Sequence, residues 1–273
     1  LSFVGFVGDA EGQRVNVNAD DIAMQIVRQY NEKIEEIMFL TSTGGIQDHH
    51  GQVVPLLTEK RIERMLKGED DDITVDGGML KKVREIRNAL DVIAKVVMTK
   101  TSGLRAEIEN WMGSGTLSIN SRKLSPSPIR GIEHPIFDRI YEQNVAQGIF
   151  RERTPEQIDE LKSHHHMLRA GNSPLGGFSL IPKGEWIELS TVWAGTIGNG
   201  LGQILIDAAA SEAGDRKMYA LSRADDAIRA FTRNEHFVAL GKLSDAIQAR
   251  QQGVPEPLLA SQNLGDRQLF IKK

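Results

Sequence analysis

Apolar and polar positions alternate along residues 186–192, WIELSTV: Ile187, Leu189 and Thr191 fall on one side, Trp186, Glu188, Ser190 and Val192 on the other. A period of two is that of a strand with one buried face. Shortly after it, Leu201, Ile204, Leu205, Ala208 and Ala209 recur at helical spacing and form one apolar stripe. The same switch of period organises the rest of the chain. Ala23, Ile26, Val27 and Tyr30 make a helical stripe, residues 37–40 a buried strand, Val83, Ile86, Leu90 and Ile93 a second stripe, and residues 96–98 another strand. Strands alternating with helices predict a mostly parallel sheet covered by helices over residues 1–117. Across residues 118–131 the periodicity fades and Ser, Pro and basic residues gather, so this stretch is the expected linker. Residues 132–273 read as a second domain. Its expected elements are a helix over 135–147 with Phe137, Ile140, Tyr141 and Val145 inward, and a helix opened by Thr154-Pro155-Glu156 as N-cap and first turn. Strands at 178–181, 186–192, 218–221 and 268–271 and a helix at 227–233 complete an α/β chain in two domains.

Between the strand at 186–192 and the helix after it lie Gly195, Gly198, Gly200 and Gly202. Glycine lets the backbone approach a ligand closely, and the unpaired N–H groups at a helix start favour an anion such as a pyrophosphate. The spacing G-x-G-x-G differs from the G-x-G-x-x-G of dinucleotide folds. A turn without a ligand is the alternative reading. Composition narrows the partners. The 273 residues, 40% hydrophobic and 26% charged, suit two globular domains. No apolar run approaches the length of a membrane span, and a net charge of -4 without a long basic tract argues against nucleic acid. The absence of cysteine excludes thiol nucleophiles, disulfides and cysteine-ligated metal, and is compatible with a cytoplasmic location. His164, His165 and His166 would diverge on a helix, so polar surface rather than a metal site is expected. The chain opens at Leu1 inside what reads as a strand, so it is expected to be part of a longer protein.

The glycine turn resembles the coenzyme A loop of the GNAT acetyltransferase superfamily, Arg/Gln-x-x-Gly-x-Gly/Ala, with Gly200 and Gly202 as its glycines and Ile197 where Arg or Gln is usual. The resemblance implies acetyl-CoA as cofactor, held by Val192, Ala194, Ile197, Gly198, Asn199, Gly200, Leu201 and Gly202. Residues 1–117 resemble the C-terminal part of the amino-acid kinase αβα sandwich of acetylglutamate kinases. The strings that carry this are NVNADD at 16–21, FLTSTGGIQDHHGQ at 39–52, DGGMLKKV at 76–83 and GSGTL at 113–117. In that family the matching positions imply that Asn16 and Asp20 contact the acylated glutamate and organise catalytic lysines, and that Lys82 stabilises the transferring phosphoryl group. The family's glycine-rich phosphate loop and first catalytic lysine would lie upstream of Leu1, and Ser42 stands where an Asp is usual, so this chain alone is not expected to phosphorylate. Arginine-regulated relatives bind free arginine through a Glu and a Gly whose positions correspond to Glu107 and Gly113, a chemistry that suits a guanidinium.

A kinase-like domain followed by a GNAT domain resembles the N-acetylglutamate synthase family and its bifunctional synthase/kinase relatives. GIFRERTPEQID at 148–159, WIELSTV at 186–192 and MYALS at 218–222 are similar to segments of that family, and agreement loosens after Arg223. The resemblance implies acetyl transfer to the α-amine of L-glutamate, in arginine synthesis, by a homo-oligomer with arginine as effector. That reaction needs a proton acceptor for the amine, donors for the developing oxyanion, a proton for the leaving thiolate and a cation for the substrate carboxylates. Glu188 is the expected base, with Trp186 as the neighbour that raises its pKa. Ser222 is the expected donor to the thiolate, Arg153 the carboxylate clamp with Arg151 as its substitute, and the amides of residues 192–194 the oxyanion donors. The other readings are a bifunctional synthase/kinase, and a regulatory protein that senses arginine after losing catalysis.

Overall fold

The computed structural model describes residues 7–8, 14–15, 19–109, 113–196, 200–248, 254–259 and 266–273. The chain divides into two compact units, residues 1–124 with 170–173, and residues 125–169 with 174–273. In the first unit β1 (Val7–Gly8) and β2 (Arg14–Val15) pair antiparallel. They are followed by α1 (Ala19–Tyr30), β3 (Glu36–Leu40), β4 (Leu56–Thr58), α2 (Glu59–Lys67), α3 (Gly77–Val92), β5 (Lys95–Thr99), α4 (Leu104–Glu109) and β6 (Thr116–Ile119). The sheet runs β3-β5-β6-β4, parallel at β3/β5 and β4/β6 but antiparallel at β5/β6, so the expected parallel sheet has an antiparallel seam. Met24, Val27, Val83, Ile86 and Leu90 of the helices pack on Val96 and Met98 of β5. Tyr30, expected on the inner stripe of α1, is 49% exposed because the buried face is centred on Met24 and Val27. α2 opens with the Thr58 hydroxyl accepting the Arg61 N–H at 3.3 Å and closes on a left-handed Gly68.

The second unit contains β7 (Ser125–Pro128), α5 (His134–Ala146), α6 (Pro155–Ser163), β8 (His165–Ala170), β9 (Ser173–Lys183), β10 (Trp186–Ala194) and α7 (Leu201–Ala213). It continues through β11 (Lys217–Ser222), α8 (Asp225–Arg233), β12 (Phe237–Lys242), α9 (Leu243–Gln248), α10 (Glu256–Leu259) and β13 (Gln268–Lys272). The described strands form one sheet, β12-β13-β11-β10-β9-β8-β7, parallel at β10/β11 and antiparallel at β12/β13, β13/β11, β10/β9 and β8/β7. Among the described residues no helix is long and apolar enough to cross a membrane.

The change of unit after Leu124 falls within residues 118–131, where β6 ends and β7 lies. Pro126 and Pro128 made this stretch look like a loop, yet they pair with Leu168 and His166 in register, because an edge strand has one side free of ladder bonds. The three histidines are not a helical polar surface. His164 caps α6, while His165 and His166 sit on β8 and His165 is 1% exposed.

Arg169 of β8 forms a buried ion pair with Glu133, in the turn between β7 and α5. The Arg169 guanidinium donates to both oxygens of Glu133 and to Ser127 Oγ, and the Arg130 N–H donates to Glu133 Oε2 at 2.8 Å. Although burial opposes ionisation, the Arg130 and Arg169 guanidiniums hold the Glu133 carboxyl down at about 2, against an ordinary 4.5. A folded-state pKa below the unfolded one adds stability that is present above about pH 4.5 and lost as pH falls toward 2. We expect Glu133→Gln to cost about 3 kcal/mol at neutral pH and to flatten the acid limb of the stability curve. Urea unfolding of both proteins across that range tests this, and a variant as stable as the parent at neutral pH would refute it.

Candidate active site

β10 pairs with β9 over its whole length, with a bulge between Ser190 and Trp193, but its parallel ladder with β11 stops at Leu189↔Ala220. β10 runs on to Ala194 and β11 to Ser222, so beyond that point the two strands no longer pair. A cavity of about 100 Å³ occupies this opening, and Glu188, Thr191, Val192, Leu221, Ser222 and Phe231 are among its walls. α7 begins after it at Gly200, whose backbone is left-handed (φ 80°), a conformation glycine takes without strain. No side chain caps this helix start, and the Gly200 carbonyl accepts the Gln203 N–H at 3.1 Å. Of the residues nominated for the cofactor, Val192 lines the cavity, whereas Ala194, Gly200, Leu201 and Gly202 do not. Leu201 is a core side chain, 1% exposed, so only its backbone can serve a ligand. Ile197, Gly198 and Asn199 lie outside the described residues.

Glu188, Arg153 and Ser222, nominated separately from the sequence, meet in this cavity. Register places Glu188 between Ile181 on β9 and Tyr219 on β11. Its Oε1 accepts from Arg153 Nη2 at 3.3 Å, and Arg151 Nη2 lies 3.8 Å away. The same Arg153 nitrogen donates to Ser190 Oγ at 2.9 Å, and the Arg153 side chain is only 5% exposed. Tyr219 is the register partner of Glu188 on β11; burial first, and then the Glu188 charge, push the pKa of its phenol up, which keeps it protonated. Trp186 packs edge-on against Tyr219 with ring centroids 6.2 Å apart. The cross-strand neighbour is closer to a strand side chain than the residue two along its own strand.

Arg151 and Arg153 stand on the segment between α5 and α6, which is fixed at several points. Tyr141 donates its hydroxyl to the Arg151 carbonyl at 2.9 Å, Arg223 Nε donates to the Gly148 carbonyl at 2.7 Å, and Thr154 with Gln157 forms the capping box of α6. The Ser222 Oγ accepts the Ala224 N–H at 3.2 Å, which leaves its own proton for donation. The sequence reading missed two residues here. Tyr219 was visible only as a strand residue, and its role follows from register. Arg267, just before β13, also lines the cavity; burial, then the neighbouring Arg223 and Arg151 charges, lower its pKa, which reports cations gathered at one place.

The first unit brings together two further pairs. Lys82 Nζ donates to Asp20 Oδ2 at 2.6 Å and lies 5.7 Å from the centre of the Phe39 ring. Asn16 lies outside the described residues. Glu107 Oε1 accepts the Gly115 N–H at 2.7 Å, and a Cβ built on Gly113 would stand 2.1 Å from the Glu107 carboxylate, so this approach requires glycine. Glu107 and Gly113 line a small cavity together with Glu36 and Lys95, which are themselves ion-paired.

No family model matches the sequence. Acetylglutamate kinase of Sulfurihydrogenibium sp. is 36% identical over 88 residues, 32% of this chain and 27% of the relative. Acetylglutamate kinase of Xanthomonas campestris pv. campestris is 33% identical over 113 residues, 39% of this chain and 24% of the relative. The chain thus spans about a quarter of the length of these curated relatives. Among solved structures, N-acetylglutamate synthase from Neisseria gonorrhoeae, complexed with coenzyme A and L-arginine, superposes with a TM-score of 0.53 at 14% identity, covering 97% of this chain and 59% of that one. The fold is that of an amino-acid kinase-like unit followed by a GNAT acetyltransferase unit.

The near-buried Arg153 and Glu188 should behave as a coupled pair. Arg153→Met is expected to lower stability by about 3 kcal/mol, because Glu188 loses its shorter ion pair and keeps the longer contact to Arg151. Adding Glu188→Gln should recover at least about 1 kcal/mol of that loss in a double-mutant cycle, whereas strictly additive effects would show that the two side chains act independently.

Proposed function

We propose that this chain is an acyltransferase that moves an acetyl group from acetyl-CoA to the α-amine of L-glutamate. The observation that carries the reading is the cavity where β10 and β11 stop pairing, which holds one carboxylate, Glu188, among the guanidiniums of Arg151, Arg153 and Arg267. The residues present fit such a donor: Val192, Leu221 and Phe231 give apolar walls, and the uncapped start of α7 suits a diphosphate. Acetyl-CoA, when bound, supplies an activated acetyl thioester. The amides of β10 beyond Leu189, free of the β11 ladder, donate to the carbonyl oxygen of the reacting acyl group. Glu188 accepts the proton lost by the attacking amine, directly or through one water, while Arg153 holds its carboxylate in place. Ser222 Oγ–H hands a proton to the sulfur as the C–S bond breaks. Arg151 and Arg267, whose guanidiniums are less engaged with Glu188, take the carboxylates of the acceptor.

Two readings for the first unit rest on their own observations. The Asp20–Lys82 pair supports a phosphoryl-transfer ancestry, and a kinase activity of a longer protein would appear as ATP-dependent acyl-phosphate formation from N-acetylglutamate. The apposition of Glu107 and Gly113 supports a site for arginine as effector, which calorimetry with arginine and Glu107→Ala would test. For the acetyltransferase itself, thiol release from acetyl-CoA in the presence of glutamate is the assay. Glu188→Gln should lower kcat about 10²-fold or more, and Arg267→Ala should raise KM for glutamate with a smaller effect on kcat. Equal thiol release by the parent chain and Glu188→Gln would defeat the reading.

A further inference from the structure

Hydrogen bonds link a set of buried side chains around the bulge in β10, and Ser179 Oγ also donates to the Leu161 carbonyl at 3.3 Å. Trp193 Nε1–H donates to His165 Nε2 at 3.2 Å, His165 Nδ1 lies 2.9 Å from Ser179 Oγ, and Ser179 Oγ lies 2.7 Å from Thr191 Oγ1. Thr191 and Trp193 belong to the same strand, so the bonds leave β10, pass through β8 and β9, and return to β10 on the other side of the irregularity. Exposure is 6% for Trp193, 1% for His165, 0% for Ser179 and 8% for Thr191. An indole nitrogen can only donate, so His165 Nε2 is the acceptor and the ring proton resides on Nδ1, pointing at Ser179. Burial, reinforced by His166 and Arg169, holds the His165 pKa down at about 3, so the ring stays neutral in one tautomer. Gly177 faces Trp193 across the β9/β10 ladder, and a Cβ there would stand 2.4 Å from His165 Nε2 and 2.8 Å from Trp193 Nε1. The His165–Trp193 bond therefore needs glycine at 177.

Thr191 itself is the only non-glycine with a positive φ among the described residues, at 46°. A β-branched residue avoids this region unless its surroundings over-determine it. The bond to Ser179 is such a constraint, and it acts where β10 has already left β11 and Thr191 forms part of the cavity wall. We propose that the Trp193–His165–Ser179–Thr191 ring is a positioning device for acetyl transfer, which fixes the left-handed backbone at Thr191 and so turns the N–H groups of β10 beyond Leu189 into the cavity. This rests on the acetyltransferase reading above. None of the four side chains exchanges a proton with the reacting atoms; they act through the backbone they hold.

The test uses the 273-residue chain with acetyl-CoA and L-glutamate. Thr191→Val removes the hydroxyl bond while keeping the β-branched shape, and should lower kcat about tenfold or more while leaving KM for glutamate within about twofold. Thr191→Ser, which restores the hydroxyl, should return kcat to within about threefold of the parent. A residue that served stability alone would lower the melting temperature without this split or this rescue. A measurement without any substitution guards against a variant that does not fold: ¹⁵N NMR should show His165 as a single Nδ1–H tautomer from about pH 5 to 8, with a slowly exchanging Trp193 indole proton. Titration of His165 in that window, or parent-like kcat in Thr191→Val, overturns the positioning role and leaves acetyl transfer standing. Absence of turnover by the parent chain overturns acetyl transfer, and the positioning role falls with it.

Discussion

Strand β10 is asked to satisfy two neighbours that want different things. β9 pairs with it antiparallel to the end, while β11, parallel to it, keeps register for only four residue pairs, Trp186↔Lys217 to Leu189↔Ala220. A parallel neighbour can leave the ladder only if the strand beside it bends, and the bulge after Ser190 with its left-handed Thr191 supplies that bend. The opening, its backbone donors and the placement of α7 behind it all follow from this local failure of sheet pairing. Beyond Leu189 the main chain of β10 is without the β11 ladder that pairs it further back.

The chemistry of the cavity is set by an imbalance of charge. Among the described lining residues Glu188 is the one carboxylate, against Arg151, Arg153 and Arg267. Arg153 is nearly buried and cannot remain so without a partner, so it is committed to Glu188 and Ser190 and serves to hold the carboxylate. The remaining cationic surface is what an acceptor bearing carboxylates would meet. The same logic of one polar group holding another recurs in the first unit, where Asp20 positions Lys82, and where the Gly115 amide holds Glu107 against Gly113.

Where periodicity was strong, the elements were legible in the residues. Alternation over WIELSTV returned as β10 with every odd position buried, and the Thr154-Pro155 start returned as a capped helix. β7 was not legible, since prolines signal a loop unless one knows that the strand lies at an edge. β8 was hidden for a related reason: HHMLRA places polar residues where a buried strand wants apolar ones, and only the partners Ser179, Trp193 and Glu133 make His165 and Arg169 acceptable inside.

Local pattern and residue type decided the alternating strand, the glycine-opened helix behind it, and the short list of acids and bases from which a site could be drawn, because these depend on neighbours in the chain. Which of them converge was decided by tertiary structure alone. Tyr219 lies beside Glu188 through strand register, Arg267 reaches the cavity just ahead of β13, and His165 joins the bulge through Ser179 and Trp193; these residues are far apart in the chain, and no local periodicity encodes their meeting.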